Sequence, residues 1–154
     1  MHTNVETINF GQHAKIQVRA AIKDPEDPDT ILVGLYNDIY VIEVRCVNGK
    51  IALMYYKRDY ETGDFEMSWI VEVGEVDINN DIELDLELRP KLRQIIKAIV
   101  EGEPIKNTYV VAVTVNNNIQ KTIKRELDIT DIATQFRIDT HNVEIDKMEV
   151  SKEW

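Results

Sequence analysis

Residues 81–101 read DIELDLELRPKLRQIIKAIVE, and the fold class turns on how this stretch divides. In its first half Asp81, Glu83, Asp85 and Glu87 alternate with Ile82, Leu84, Leu86 and Leu88, the period-two pattern of a strand with one apolar and one wet side. In its second half the period changes. Leu92, Ile95, Ile96, Ile99 and Val100 recur at helical spacing, and Pro90 suits a first helical turn, where its missing N–H is not needed. Gly102 and Pro104 follow as stop signals. The stretch predicts a strand and then an amphipathic helix over about 90–101. The fold expected from it is α+β: a mainly antiparallel sheet, a meander curled into a sandwich or partial barrel, with that helix packed on its apolar side.

Upstream, Ile16, Val18, Ala20 and Ile22 alternate with Lys15, Gln17 and Arg19 as in a half-buried strand, and DPEDPD at 24–29 breaks it with two prolines among acids. ILVGLY and DIYVIEVRCV read as two further strands. The second ends at Asn48-Gly49, the pair that best satisfies a turn needing positive φ at both central positions, so KIALMYYKRDY returns as its partner. Glu61-Thr62-Gly63-Asp64 is a second turn, after which Phe65, Met67, Trp69, Val71 and Val73 share one side of a third strand. Downstream, YVVAVTV is a buried strand by its β-branched density. IQKTIKREL fits helix and strand alike, since Ile119, Ile123 and Leu127 share one side in either. A second short helix is expected over about 129–137, capped by Asp128 or Thr130, and VEIDKMEV is expected to be the last strand.

With 154 residues, no repeat and no compositional break, residues 1–154 are expected to form a single β-rich domain. The 44% hydrophobic and 30% charged residues place the chain among folded globular proteins. Its formal charge of −10 opposes binding to phosphate backbones or anionic lipid, so no direct nucleic-acid binding and no membrane association is expected. Cys46 is the only cysteine and lies in a strand, which implies a buried thiol and a reducing compartment. With no signal-peptide pattern and no long apolar run, the expected location is the cytoplasm or an assembled viral particle.

The usual catalytic constellations lack members. Two serines, Ser68 and Ser151, and three dispersed histidines, His2, His13 and His141, make no nucleophilic triad and no zinc spacing. The six scattered glycines build no phosphate loop. DINNDIE at 77–83 resembles the start of a calcium loop but lacks its sixth-position glycine and twelfth-position glutamate. No catalytic residue, metal or cofactor is therefore assigned, and the chain is expected not to be an enzyme.

What remains is the acidic row Asp81, Glu83, Asp85 and Glu87 as a candidate interaction surface. On a strand its carboxylates repeat at about 6.6–7 Å, near the spacing of phosphates along a nucleic-acid strand. A solvated side partly neutralised by Arg89, Lys91, Arg93 and Lys97 explains the same pattern without a ligand. The function expected is a non-enzymatic interaction or assembly protein, such as a structural component of a viral particle, with protein partners in a homo-oligomer or larger assembly. The alternative is an acidic inhibitor or immunity-type protein that blocks a basic or nucleic-acid-binding site by DNA mimicry.

Overall fold

The computed structural model of the chain describes residues 7–9, 12–90, 99–102, 108–116, 120–128 and 135–153. Eleven strands run through them: β1 (Thr7–Asn9), β2 (His13–Ile22), β3 (Thr30–Tyr36), β4 (Tyr40–Val47), β5 (Lys50–Arg58), β6 (Phe65–Glu75), β7 (Ile82–Pro90), β8 (Thr108–Asn116), β9 (Gln120–Asp128), β10 (Gln135–His141) and β11 (Val143–Glu153). They pair antiparallel in a six-stranded sheet, ordered β1-β10-β3-β4-β5-β6, and a five-stranded sheet, ordered β11-β2-β7-β8-β9.

The period-two alternation lets each strand bury one side only, and the two buried sides cover each other. Leu32, Leu35, Ile42, Val44, Ile51 and Leu53 of the first sheet share one core with Ile16, Ala20, Leu84, Leu86, Val111 and Val113 of the second. This is sheet-on-sheet packing, a β-sandwich. The α+β expectation is thereby corrected, since the described residues are nearly all antiparallel strand and no helix of seven or more residues occurs among them.

The helix expected at 90–101, packed on the sheet, does not start at Pro90, and where its last residues are helical they are exposed. Pro90 closes β7, where it pairs with Tyr109. The helical turn at 99–101 leaves Ile99 and Val100 about three-quarters exposed (73% and 78%), so it does not cover the sheet. Residues 91–98 lie outside the described set. The second sheet, rather than a helix, supplies the opposing apolar layer, and for that reason helical spacing near residue 95 did not decide the architecture. The second short helix is corrected in the same direction, because Gln135–His141 is strand, while 129–134 lie outside the described residues. The ambiguous 119–127 stretch resolves as β9, with Ile123 opposite Val113.

The Asn48-Gly49 turn joins β4 to β5 with both residues at positive φ, 52° and 77°. A side chain at Gly49 would be strained there and would press on the Val76 carbonyl at 3.3 Å. Gly49→Val is expected to cost about 1–3 kcal/mol, read as a lowered urea midpoint with an unchanged slope.

The chain crosses between the sheets twice at one corner, from β2 to β3 and from β10 to β11. Asn142, at φ 61°, ties the crossings together. Its amide nitrogen donates to the Asp24 carbonyl and the Thr30 hydroxyl, both at 2.8 Å. Its side-chain oxygen accepts from the Asp24 N–H at 3.0 Å, and its backbone carbonyl accepts from the Lys23 N–H at 3.0 Å. Among the described residues no helix is long and apolar enough to cross a membrane.

Candidate functional site

Alternation along β4 sends Tyr40, Ile42, Val44 and Cys46 into the core and Val41, Glu43 and Arg45 to the outer side of the six-stranded sheet. Residues outside a sandwich normally face water. Glu43 does not, being only 4% exposed. The strand register explains what covers it. Asp139, Gly34, Glu43, Met54 and Ile70 stand in one row across β10, β3, β4, β5 and β6, and Arg137, Tyr36, Val41, Tyr56 and Met67 stand in the next.

Tyr36 folds from its own row back over the neighbouring one. A Cβ on Gly34 would collide with the Oη, Cζ and Cε2 atoms of Tyr36, so the ring rests on the backbone at the one position in the row without a side chain. Its hydroxyl donates to Glu43 Oε2 at 2.8 Å. Arg45 grips the same carboxylate side-on, Nε to Oε1 at 3.2 Å and Nη2 to Oε2 at 3.3 Å, while its Nη1 donates to Asp29 at 2.7 Å. A buried carboxylate is tolerable only when partnered in this way.

Burial of Arg45 favours loss of its proton, but the hydrogen bond and charge of Glu43, with the charge of Asp29, outweigh it and keep the guanidinium firmly charged. Burial pushes the Tyr36 hydroxyl far above the ordinary tyrosine range; the charge of Glu43, its hydrogen bond and the charge of Asp139 add to that, against Arg45. Tyr56 shifts the same way, by burial and then by the charge of Glu43. Both phenols are thus donors at neutral pH. The Cys46 thiol, on the inner side of β4, is also pushed up by burial.

The Tyr36 shift has a stability consequence whose sign is fixed. A phenol in the unfolded chain ionises near about pH 10, whereas the folded protein holds Tyr36 neutral above that, so its contribution is fully present below about pH 10 and is lost as pH rises further. Urea midpoints measured from about pH 8 to pH 11 should fall more steeply for the wild type than for Tyr36→Phe.

The acidic row predicted from the sequence lies on the other outer side, that of the five-stranded sheet. Asp81 precedes β7, and Glu83, Asp85 and Glu87 oppose Arg19, Gln17 and Lys15 of β2. Arg19 lies 3.3 Å from Asp81, 3.6 Å from Glu83 and 3.5 Å from Asp146, and His13 lies 3.2 Å from Glu87. Among the described residues the neutralising cations are those of β2; Arg89 is exposed, and the expected Lys91, Arg93 and Lys97 lie outside the described residues. Exposed pairs of this kind contribute little, and the row brings no buried or strained group together. Among the described residues no group of three or more His, Cys, Asp or Glu side chains is placed to hold a metal ion.

Sequence reasoning did not single out Tyr36, Glu43, Arg45 or Tyr56, although one signal was present. The Asn48-Gly49 turn fixes Glu43 opposite Met54 and Val41 opposite Tyr56, which places an ion pair beside a tyrosine on one side.

No protein-family model matches the sequence, and no curated protein is significantly similar to it. A solved structure does share the fold. It is an engineered GH43 glycoside hydrolase that displays both endo-xylanase and exo-arabinofuranosidase activity, with a TM-score of 0.54 at 13% identity. The match covers 92% of this chain and 29% of the enzyme, so this chain spans less than a third of that protein's length. The expectation of an assembly component, with its alternative of an acidic inhibitor, is corrected at this point: the likeness is to a glycoside hydrolase, and it is a likeness of fold.

Proposed function

We propose that this chain is a saccharide-binding β-sandwich of a carbohydrate-active protein, and that the outer side of the six-stranded sheet holds the sugar. The observation that carries this reading is the outer end of the Tyr36 ring resting over Gly34, with its hydroxyl bound to the buried Glu43. Sugars need two kinds of contact at once, an aromatic ring against the C–H side of the pyranose or furanose and fixed polar groups for its hydroxyls. Tyr36 and Tyr56 supply the first. Asp139, Asp29 and the accessible part of Arg45 supply the second, with Arg45 held in place by the buried Glu43. The fold shared with a glycoside hydrolase supports the same reading.

In this reading the chain binds and does not cleave. Both oxygens of Glu43 are engaged by Tyr36 and Arg45, so neither is free to pass a proton to a glycosidic oxygen. Affinity electrophoresis through gels containing arabinoxylan, mannan or mixed-linkage β-glucan tests the reading. The wild type is expected to be retarded by at least one of them. Tyr56→Ala should weaken that retardation roughly tenfold, the loss of one stacking ring, without a matching fall in melting temperature. Unretarded migration of the wild type in every gel, charged glycans included, would defeat the proposal.

A further inference from the structure

On the reading just given, we infer that the site takes an internal segment of an uncharged polysaccharide, laid across the strands, rather than a chain end or an acidic glycan. The first ground is the direction of the platform. Tyr36 and Tyr56 start from one row, two strands apart with Val41 between them, and both lean onto the neighbouring row, Tyr36 over Gly34 and the Tyr56 hydroxyl against Met54 Sδ at 3.3 Å; Met67 and Ile70 carry the two rows on to the edge strand. At about 4.8 Å per strand, Tyr36 and Tyr56 are about 10 Å apart along the backbone and the row reaches about 14 Å at Met67. That is the span of a short oligosaccharide, not of one ring.

The second ground is that, among the described residues, no wall closes the row. Arg137, on the strand next to the β1 edge, is exposed. Toward the opposite edge, Met67 and its neighbour Ile70 on the edge strand are 49% and 52% exposed. Sites that select a chain end need a wall against which the end abuts, and an open platform instead lets the polymer run on past it.

The third ground is charge. Glu43, Asp139, Asp29 and Glu72 lie on or beside this side of the sheet, and the chain carries −10 overall. Arg45 is committed to Glu43 and Asp29, and Arg58 lies over the Phe65 ring at 4.8 Å, which leaves Arg137 as a cation in the row against these four carboxylates. A polyuronate would bring its carboxylates against these acids. Uncharged hydroxyls, by contrast, meet no like charge there and can donate to the carboxylates that remain accessible, Asp139, Asp29 and Glu72.

The test is a length and charge series. Titration calorimetry would use the oligosaccharides of whichever neutral polymer retards the protein, from the monosaccharide upward, and polygalacturonate would serve as the acidic probe. The monosaccharide should bind at least roughly a hundredfold more weakly than the longest oligomer, with affinity levelling off once the row is filled. Reducing the terminal sugar to its alditol should change the affinity of the longest oligomer by less than about twofold. Polygalacturonate should give no retardation. Tight monosaccharide binding, strong loss on end reduction, or preference for polygalacturonate would each overturn the inference while leaving saccharide binding intact. No heat and no retardation with any glycan would overturn the underlying reading as well.

Discussion

Glu43→Ala is expected to lower the folding stability by about 3 kcal/mol, the largest single loss available outside the hydrophobic core. The carboxylate is buried and has three donors aimed at it, the Tyr36 hydroxyl and two guanidinium nitrogens of Arg45. Truncation leaves Arg45 with Asp29 as its remaining carboxylate, and that partner is about half exposed (53%). It also strands the Tyr36 hydroxyl in a partly buried place. An unpaired charge of this sort typically costs ~3–5 kcal/mol, and the lower figure applies because Arg45 keeps 25% of its side-chain surface in water. Glu43→Gln, which keeps the shape and one acceptor, should cost about half as much. Urea denaturation of the three proteins decides the matter, and equal midpoints would mean that the carboxylate is not buried as described.

Gly34→Ala should separate binding from folding. The three atoms nearest the added methyl group all belong to the far end of the Tyr36 side chain, which can swing away, so the fold is expected to survive with a loss of about 1–2 kcal/mol, the value of the Tyr36–Glu43 hydrogen bond and its packing. Gly34 is not among the residues at positive φ, so the backbone itself accepts alanine. The ring, however, no longer lies on the sheet. Saccharide affinity should therefore drop by roughly tenfold or more, comparable with removing Tyr36 outright, since a misplaced stacking surface contributes no more than an absent one. Affinity electrophoresis beside a thermal melt reads both quantities. A variant that binds as the wild type does would show that Tyr36 is not the platform.

The strands were legible because their physics is local. Each of β2, β4, β5 and β7 writes its own two-residue period, and the hairpin at Asn48-Gly49 follows from the φ those two residues tolerate. The second layer was not legible, because Leu84 and Leu86 state only that something apolar covers them, and a helix or a sheet satisfies that equally. The apolar spacing at 92–100 then offered a ready helix for the purpose.

The site stayed hidden for a related reason. In YVIEVRCV, Glu43 occupies a place where any polar residue would satisfy the alternation, and nothing in the strand itself says that this carboxylate is under cover. Its burial comes from Tyr36, seven residues away, folding over a glycine, which is a tertiary event. The row at 81–87 attracted notice because its acids are dense, yet density on a solvated side is what a one-sided sheet demands.

The corner held by Asn142 also sets an order of events in time. β10 closes on β3 and β11 closes on β2, pairings that join residues more than a hundred positions apart in the chain, and the Asn142–Asp24 contact spans 118. Until 135–153 arrive, β3 and β2 each present a bare hydrogen-bonding edge, and neither sheet has its final width. Such distant closures are slow, because the entropy of bringing the ends together is spent before any contact rewards it. The chain is thus expected to pass through a stage in which two unpaired strand edges wait for the β10–β11 corner, and self-association during refolding should concentrate in that interval.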